Sequence, residues 1–470
     1  MNDFPAMPPR GFSAAAGHLT LDGHDLVALA RAHGTPLFVF SEARLRGNAR
    51  RFRQAAEAGH PRALVCYASK ACSNLAVLAA VRDEGLGVEV NSGGELFKAL
   101  AAGVAPGRIV FNGVAKTVEE IREAIGQGIK TINVDSPFEL RRIGETARAM
   151  GRRAEVALRL VPGVEGGATP GIRTGGSDSK FGMMPDDLPE IRAIAADFAD
   201  AIEVIGLHCH IGSQIADPDA FRDGTRFMAG QAREIGAWLG RPLRHVNLGG
   251  GYPVRYVHGP AAGLGAFDAA EDAAAMVGRV AAEAARELGP DTELLFEPGR
   301  AIVGNAAVLL TTVENIKHRG AQPWLFLDAG YHTLIDSAAV RWYFHMVTAS
   351  RVGQAEAPFR VVGPLCDSAD CFFDVEGEHL YDALRQSRPD DAGLEAAVVR
   401  LPRHRGLAAA TAPGDIVALL DVGAYALEQM FPYCGRRRAG AVMLRRAGDV
   451  AWIRRPDTVE DLVRDDVPVG

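Results

Sequence analysis

ELLFEPGR, residues 293–300, joins an apolar run of strand character to a carboxylate (Glu297), a helix-breaking Pro298, a Gly299 that admits close backbone approach, and a cationic Arg300. Taken alone, Pro-Gly after a strand is a turn. Repetition gives it another meaning, because apolar segments of strand length recur before it at 63–70, 87–92, 109–116, 131–136, 155–162, 203–214 and 245–251. Between them lie amphipathic stretches rich in Ala, Leu, Glu and Arg at 72–84, 94–102, 118–126, 137–150, 186–199, 217–239 and 267–288. Near-continuous apolar strands alternating with helices predict a parallel sheet covered on both faces. Eight such units in about 250 residues fit a (β/α)8 barrel better than an open sheet.

The full chain has 470 residues, 48% hydrophobic and 23% charged, enough for a large core and two domains. Fifty-one basic against 58 acidic residues give a net charge of -7, which argues against a nucleic-acid or anionic-membrane surface and for a small-molecule substrate. The six cysteines form no CxxC pair, so neither a zinc site nor a disulfide framework is expected, and a reducing cytoplasm fits. No apolar run reaches the roughly 18 residues of a membrane span. Residues 1–17 read as a disordered tail, and 18–42 as an N-terminal segment packing on the second domain. The barrel is expected over 43–300, and 301–470 as an all-β domain of short strands at 306–313, 324–328, 344–350, 359–364, 415–421 and 439–445. The Gly-rich stretch 163–180 reads as a loop, either mobile or at the active site; 377–401 reads as a peripheral insertion and 457–466 as a terminal helix.

In such a barrel the loops after the strands' C-terminal ends build the active site. The first strand ends in Tyr67-Ala-Ser-Lys70, where a poorly hydrated lysine suits Schiff-base chemistry, or else snorkels to solvent. The sixth ends in His208-Cys-His210-Ile-Gly-Ser213-Gln214. Two histidines on one face could pair on a metal, yet no third ligand is near, so His208 reads as a core histidine and His210 as the functional one; no metal is expected. After the seventh strand, Gly249, Gly250 and Gly251 expose amides that could cradle a phosphate or mark a tight turn. An amine, an imidazole, a carboxylate, a triple glycine and an arginine on one rim suit pyridoxal 5'-phosphate.

The motifs YASK, HCHIGSQ, NLGGG, EPGR, GPLCDSAD and GAY, in this order, resemble those of the fold-type III pyridoxal-phosphate decarboxylases, which include the ornithine and diaminopimelate enzymes. The resemblance spans roughly residues 36–465 and implies an alanine-racemase-like barrel followed by a β domain. By it, Lys70 is the Schiff-base lysine, His210 stacks on the ring, and Glu297 partners the pyridine nitrogen. Ser213, the three glycines, Gly299, Arg300 and Tyr425 lie on the phosphate side. It also implies a head-to-tail homodimer in which Cys366 and Asp367 act in trans, with Cys366 returning a proton to the substrate. The bland alternative for Cys366 is a small buried hydrophobe.

Diaminopimelate decarboxylases carry an arginine in a pattern like LIRP and a glutamate after the loop cysteine; this chain has Leu334-Ile-Asp336 and Cys366-Asp367 instead. Asp328, Asp336 and Asp367 would attract an ammonium group and repel a carboxylate, unless Asp336 merely caps a turn. A basic diamino acid is therefore expected as substrate, bound by these residues with Arg300 and Tyr425. The segments DAGYHTLIDS, GAYALEQ and WIRRPDTVEDLVRDD are similar to D-ornithine/D-lysine decarboxylases, which implies putrescine or cadaverine and CO2 as products. EVNSGGEL and HCHIGSQ are closer to the diaminopimelate enzymes. Alternatives are meso-diaminopimelate, a modified diamino acid of a siderophore or antibiotic pathway, and a racemase reaction.

Overall fold

The computed structural model describes residues 9–164, 166–167, 174–176, 179–259, 264–269, 271–389 and 401–469. It divides into two compact units.

One unit, Leu45–Val254 with Ala270–Val303, is the barrel. Its strands are β1 (Ala63–Ala68), β2 (Gly87–Val90), β3 (Ile109–Phe111), β4 (Thr131–Val134), β5 (Ala154–Arg159), β6 (Ile202–His208), β7 (His245–Asn247) and β8 (Glu293–Phe296). Each pairs in parallel with the next, and β8 closes on β1 through Leu294 opposite Ala63. The intervening helices begin where short polar side chains can replace missing backbone partners. Asn74, Ser92, Ser136 and Asp217 accept from first-turn amides, and Thr117 forms a capping box with Glu120. The expected (β/α)8 architecture is borne out.

Strand alternation explains why this barrel has an active end. Cys66, Val110 and Leu295 meet in a buried apolar cluster. Two residues further along β3 and β8, on the same face, stand Asn112 and Glu297. An apolar layer is thus followed by a polar one.

The other unit holds the chain up to Arg44, Arg255–Ala269, and Gly304 onward. Its central strand β9 (Ala307–Arg319) pairs antiparallel with β10 (Gln322–Leu327), with β14 (Ile416–Leu419) and with the strand Leu37–Ser41. β11 (Met346–Thr348) pairs with β14, β12 (Glu356–Val362) with β10 and with β13 (Arg405–Ala408), and β15 (Gly440–Leu444) with Leu37–Ser41 and β16 (Val450–Arg454). Leu37, Val39, Val308, Leu310, Ala418 and Val442 share one core.

Several expectations need correction. Residues 13–15 of the expected tail form a strand paired with His18–Leu21, while 1–8 lie outside the described residues. Within the expected N-terminal segment, the first helix spans Leu26–His33, because Gly23 turns with a φ of 82° and Asp25 caps the helix through Val27 and Ala28. Residues 255–269, expected in the barrel, group with the β unit, and 301–303 group with the barrel. The expected terminal helix is a single 3-10 turn, Glu460–Leu462; ahead of it the Asp457 carboxylate is drawn to Arg438 (2.7 Å) and Arg454 (2.7 Å). Within the supposed insertion, Val375–Ser387 is a helix, and 390–400 lie outside the described residues. So do 165, 168–173 and 177–178 of the Gly-rich loop, although Gly166–Gly167 pairs with Gly212–Ser213. No described helix is long and apolar enough to cross a membrane.

Candidate active site

Lys70 sits in the one-turn helix Ser69–Ala71 directly after β1. EPGR is packed against that turn: Pro298 O accepts from Ala68 N (3.0 Å), and a Cβ on Gly299 would lie 2.9 Å from Ala71 Cβ and 3.2 Å from Ala68 Cβ. Only glycine allows that approach. Ser69 Oγ donates to Glu95 Oε2 (2.8 Å), which also accepts from Asn91 N (2.7 Å), so the turn is held from the next helix as well.

Glu297 is buried and ionised. Desolvation pushes its carboxyl up, but His208 and then Lys70 and Asn112 outweigh this and hold it below the ordinary glutamate range. Its donors are Asn247 Nδ2 (2.6 Å), Asn112 Nδ2 (3.0 Å) and His208 Nε2 (3.1 Å). Burial draws His208 below the usual histidine value against the pull of Glu297. It is thus a core histidine bonded to Glu297 through Nε2, while its Nδ1 is buried without a partner among the described residues. Asn112, Asn133 and Asn247 were not picked out as site residues, although each lies in or just after its strand, where the strand-end rule would have found them.

His210 is likewise driven well below the ordinary histidine value by burial, then by Lys70 and Arg159. Its Nδ1 accepts from Gly250 N (3.1 Å), which fixes the neutral tautomer with its proton on Nε2. A Cβ on Gly250 would meet Glu297 O at 2.1 Å. The glycine loop therefore passes between His210 and Glu297. Of the amides read as a phosphate cradle, that of Gly249 is donated to Asn247 Oδ1 (2.9 Å) and that of Gly250 to His210, which leaves Gly251 as the better candidate. Arg300, buried at the start of Arg300–Val303, donates from Nε to Ser213 Oγ (3.3 Å).

The remaining expected residues belong to the β unit. Asp328 is not presented to a substrate. Its oxygens accept from Thr35 Oγ1 (2.5 Å), Thr312 N (3.0 Å) and Thr311 Oγ1, a knot that ties β9 to the turn after β10. The role expected for it is withdrawn. Asp336 opens the short helix Asp336–Ala339; Gln429, its amide nitrogen turned toward two acceptors, donates to Asp336 Oδ1 (3.1 Å) and Tyr425 O (2.5 Å). Tyr425 has a φ of 63°, a strained value for a tyrosine. Cys366 is exposed, which removes its reading as a buried hydrophobe. Beside it, Asp367 accepts from Ala369 N (2.9 Å), Tyr331 Oη (2.9 Å) and Tyr433 Oη (3.4 Å), bonds that hold its carboxyl below the usual range. Asp370, overlooked in the sequence, accepts from Tyr331 N (2.8 Å) and Leu365 N (2.8 Å) and so ties the Cys366 loop to the turn after β10.

A parallel barrel whose strand ends gather an amine, an ionised carboxylate, a neutral imidazole and a glycine loop, in a chain with a second β unit, defines the class of barrel enzymes that work through a pyridoxal cofactor. The chain belongs to the pyridoxal-dependent decarboxylases: the family described as "Pyridoxal-dependent decarboxylase, pyridoxal binding domain" matches residues 44–304. It is 34% identical over 453 residues to the diaminopimelate decarboxylase of Pseudomonas fluorescens (96% of this chain, 97% of that one) and 33% over 456 residues to that of Archaeoglobus fulgidus (96% and 97%). The crystal structure of the M. jannaschii diaminopimelate decarboxylase in co-complex with L-lysine superposes with a TM-score of 0.83 at 31% identity, covering 98% of this chain and 99% of that one. The chain is a carboxy-lyase dependent on pyridoxal phosphate.

Proposed function

We propose that this enzyme decarboxylates a basic diamino acid with an ammonium group at its far end, in the manner of ornithine or lysine, and that Lys70 holds the cofactor. The observation that carries the substrate reading is Asp336 beside Tyr425, joined through Gln429, in place of the LIRP-type arginine. A carboxylate there attracts an ammonium ion and repels a carboxylate. Asp367, half-buried on the same unit, acts in the same sense.

The residues fit pyridoxal phosphate. A glycine loop that no Cβ could enter lies against His210, and a buried ionised carboxylate is available to a cationic ring nitrogen. Bound there, the cofactor supplies an electron sink for the pair left behind when CO2 departs. Glu297 keeps a proton on the ring nitrogen, since its own affinity for protons is depressed by its donors. His210, kept neutral by burial, would lie against the cofactor's ring. Arg300, Ser213 and Gly251 would hold the phosphate. Cys366 returns a proton to the α-carbon, and its exposure on the β unit suits the dimer that the family resemblance implies.

Meso-diaminopimelate is the second reading. It draws on the identity with enzymes of that name and on Arg436, whose Nη2 donates to Pro364 O (3.3 Å) and brings a guanidinium to the Cys366 loop. Release of CO2 from D- and L-ornithine, D- and L-lysine and meso-diaminopimelate, with the amine identified, separates the two. Turnover is expected with an ornithine or lysine isomer, and a preference for meso-diaminopimelate would replace the first reading by the second.

A further inference from the structure

A second carboxyl shares the barrel interior with Glu297, and the chemistry above leaves it without a part. Glu89, fully buried on β2, lies directly opposite Ala68 in the pairing with β1, two residues before Lys70. Asn112 divides its amide between the two acids: Nδ2 donates to Glu89 Oε1 (2.8 Å) and to Glu297 Oε2 (3.0 Å). Asn133 Nδ2 in turn donates to Asn112 Oδ1 (2.5 Å), which fixes the way that amide points. The two carboxyls are not equally served. Glu297 has three donors, whereas Glu89 has one and its Oε2 is buried without a partner among the described residues.

An unpartnered, water-free half of a carboxylate is far costlier than an unpartnered hydroxyl. We propose that Glu89 is a positioning residue held as the neutral acid, so that the two acids bridged by Asn112 carry a single negative charge, on Glu297, and Lys70 is not locked as an ammonium ion. The groups that face Glu89 are consistent with this. Lys70 favours its ionisation, while Glu297 and Glu95 oppose it, and desolvation, the largest influence, moves its carboxyl up and away from the ordinary range. Arg159 also senses it from β5. Two like charges bridged by one amide separate into an acid and a base, a division found where a site needs each protonation state. With both acids ionised, Lys70 would sit between two carboxylates and lose the neutral amine that forms its bond to an aldehyde.

The inference rests on Lys70 as the cofactor lysine, and its test is independent of turnover. Infrared spectra of the holoenzyme at neutral pH should contain a protonated-carboxyl C=O stretch that is absent in E89Q. The cofactor's visible absorbance at that pH should be the same in both proteins, because glutamine replaces a neutral acid. At higher pH, where Glu89 ionises, the two absorbance titrations should part. If E89Q fails to fold, the same band followed in wild type labelled with ¹³C-glutamate should vanish as pH rises above neutral. A neutral-pH spectrum lacking the band, or a cofactor absorbance already displaced in E89Q at neutral pH, overturns the proposal. Failure of the Lys70 assignment would instead appear as a cofactor attached elsewhere, whatever the state of Glu89.

Discussion

Glu297 and Asn112 show how much one residue's setting decides. Each stands two positions beyond an apolar barrel residue, Leu295 and Val110, and so inherits an inward direction from strand geometry alone. Direction is legible in sequence; partners are not. The motif EPGR marks Glu297, but nothing in the sequence says that Asn112, His208 and Asn247 converge on it from β3, β6 and β7. Glu297→Gln removes the charge those donors sustain, and kcat is expected to fall by on the order of 10²-fold or more, with the cofactor retained. Steady-state rates with a bound-cofactor spectrum check this, and a loss below tenfold would mean that another group holds the ring proton. Asp328 is the converse lesson. Its neighbours along the chain resemble a site, whereas Thr35, Thr311 and Thr312 consume its oxygens.

At the scale of elements, the Lys70 turn and EPGR behave as one piece. Gly299→Ala places a methyl against Ala68 and Ala71 and is expected to cost about 1–3 kcal/mol of overpacking. Because the moving part is the Lys70 turn, cofactor affinity should weaken more than thermal stability. Equilibrium binding of the cofactor set beside a melting curve separates the two, and an unchanged affinity would dissociate the turn from the site. Lys116 gives a contrasting case. Wholly buried after β3, it donates to Glu139 Oε1 (2.8 Å), Gly113 O (2.7 Å) and Asn133 O (2.7 Å), which marks it as structural. Lys116→Met strands the Glu139 carboxylate and should destabilise the fold by about 3–5 kcal/mol in denaturant unfolding. A cost below about 1 kcal/mol would show that Glu139 finds other partners. The helices were readable from their caps and periodicity, but β13 and β16 were not, since short strands of mixed polarity owe their form to neighbours distant in sequence.

For the molecule as a whole, the buried histidines set a pH dependence of folding. Burial lowers the pKa of His208, His210 and His245, the last to about 3. A depressed folded pKa gives stability that is present above the unfolded value, near 6.5, and lost as pH falls below it, because only the unfolded chain takes up the protons. His332 and His345, lowered by burial to about 4 and about 3, add to this effect, while Glu89, Asp328 and Asp370, with their pKa raised, act in the opposite sense over part of that range. The melting temperature should therefore fall between pH 7 and pH 5, and a flat or rising profile would contradict the burial assigned to these rings. Long-range organisation was partly legible: eight strand-and-helix units announce a closed barrel. That residues 255–269 group with the β unit was not, because no composition change marks them.

Lys70 is the lysine proposed to hold the cofactor, on a rim where Lys116 is already committed to three acceptors. Borohydride reduction of the holoenzyme, followed by peptide mass mapping, locates that bond directly. A pyridoxyl group on Lys70, with Lys70→Ala lacking the visible absorbance of bound cofactor, is the predicted result; the group on Lys98, Lys116 or any other lysine would contradict it.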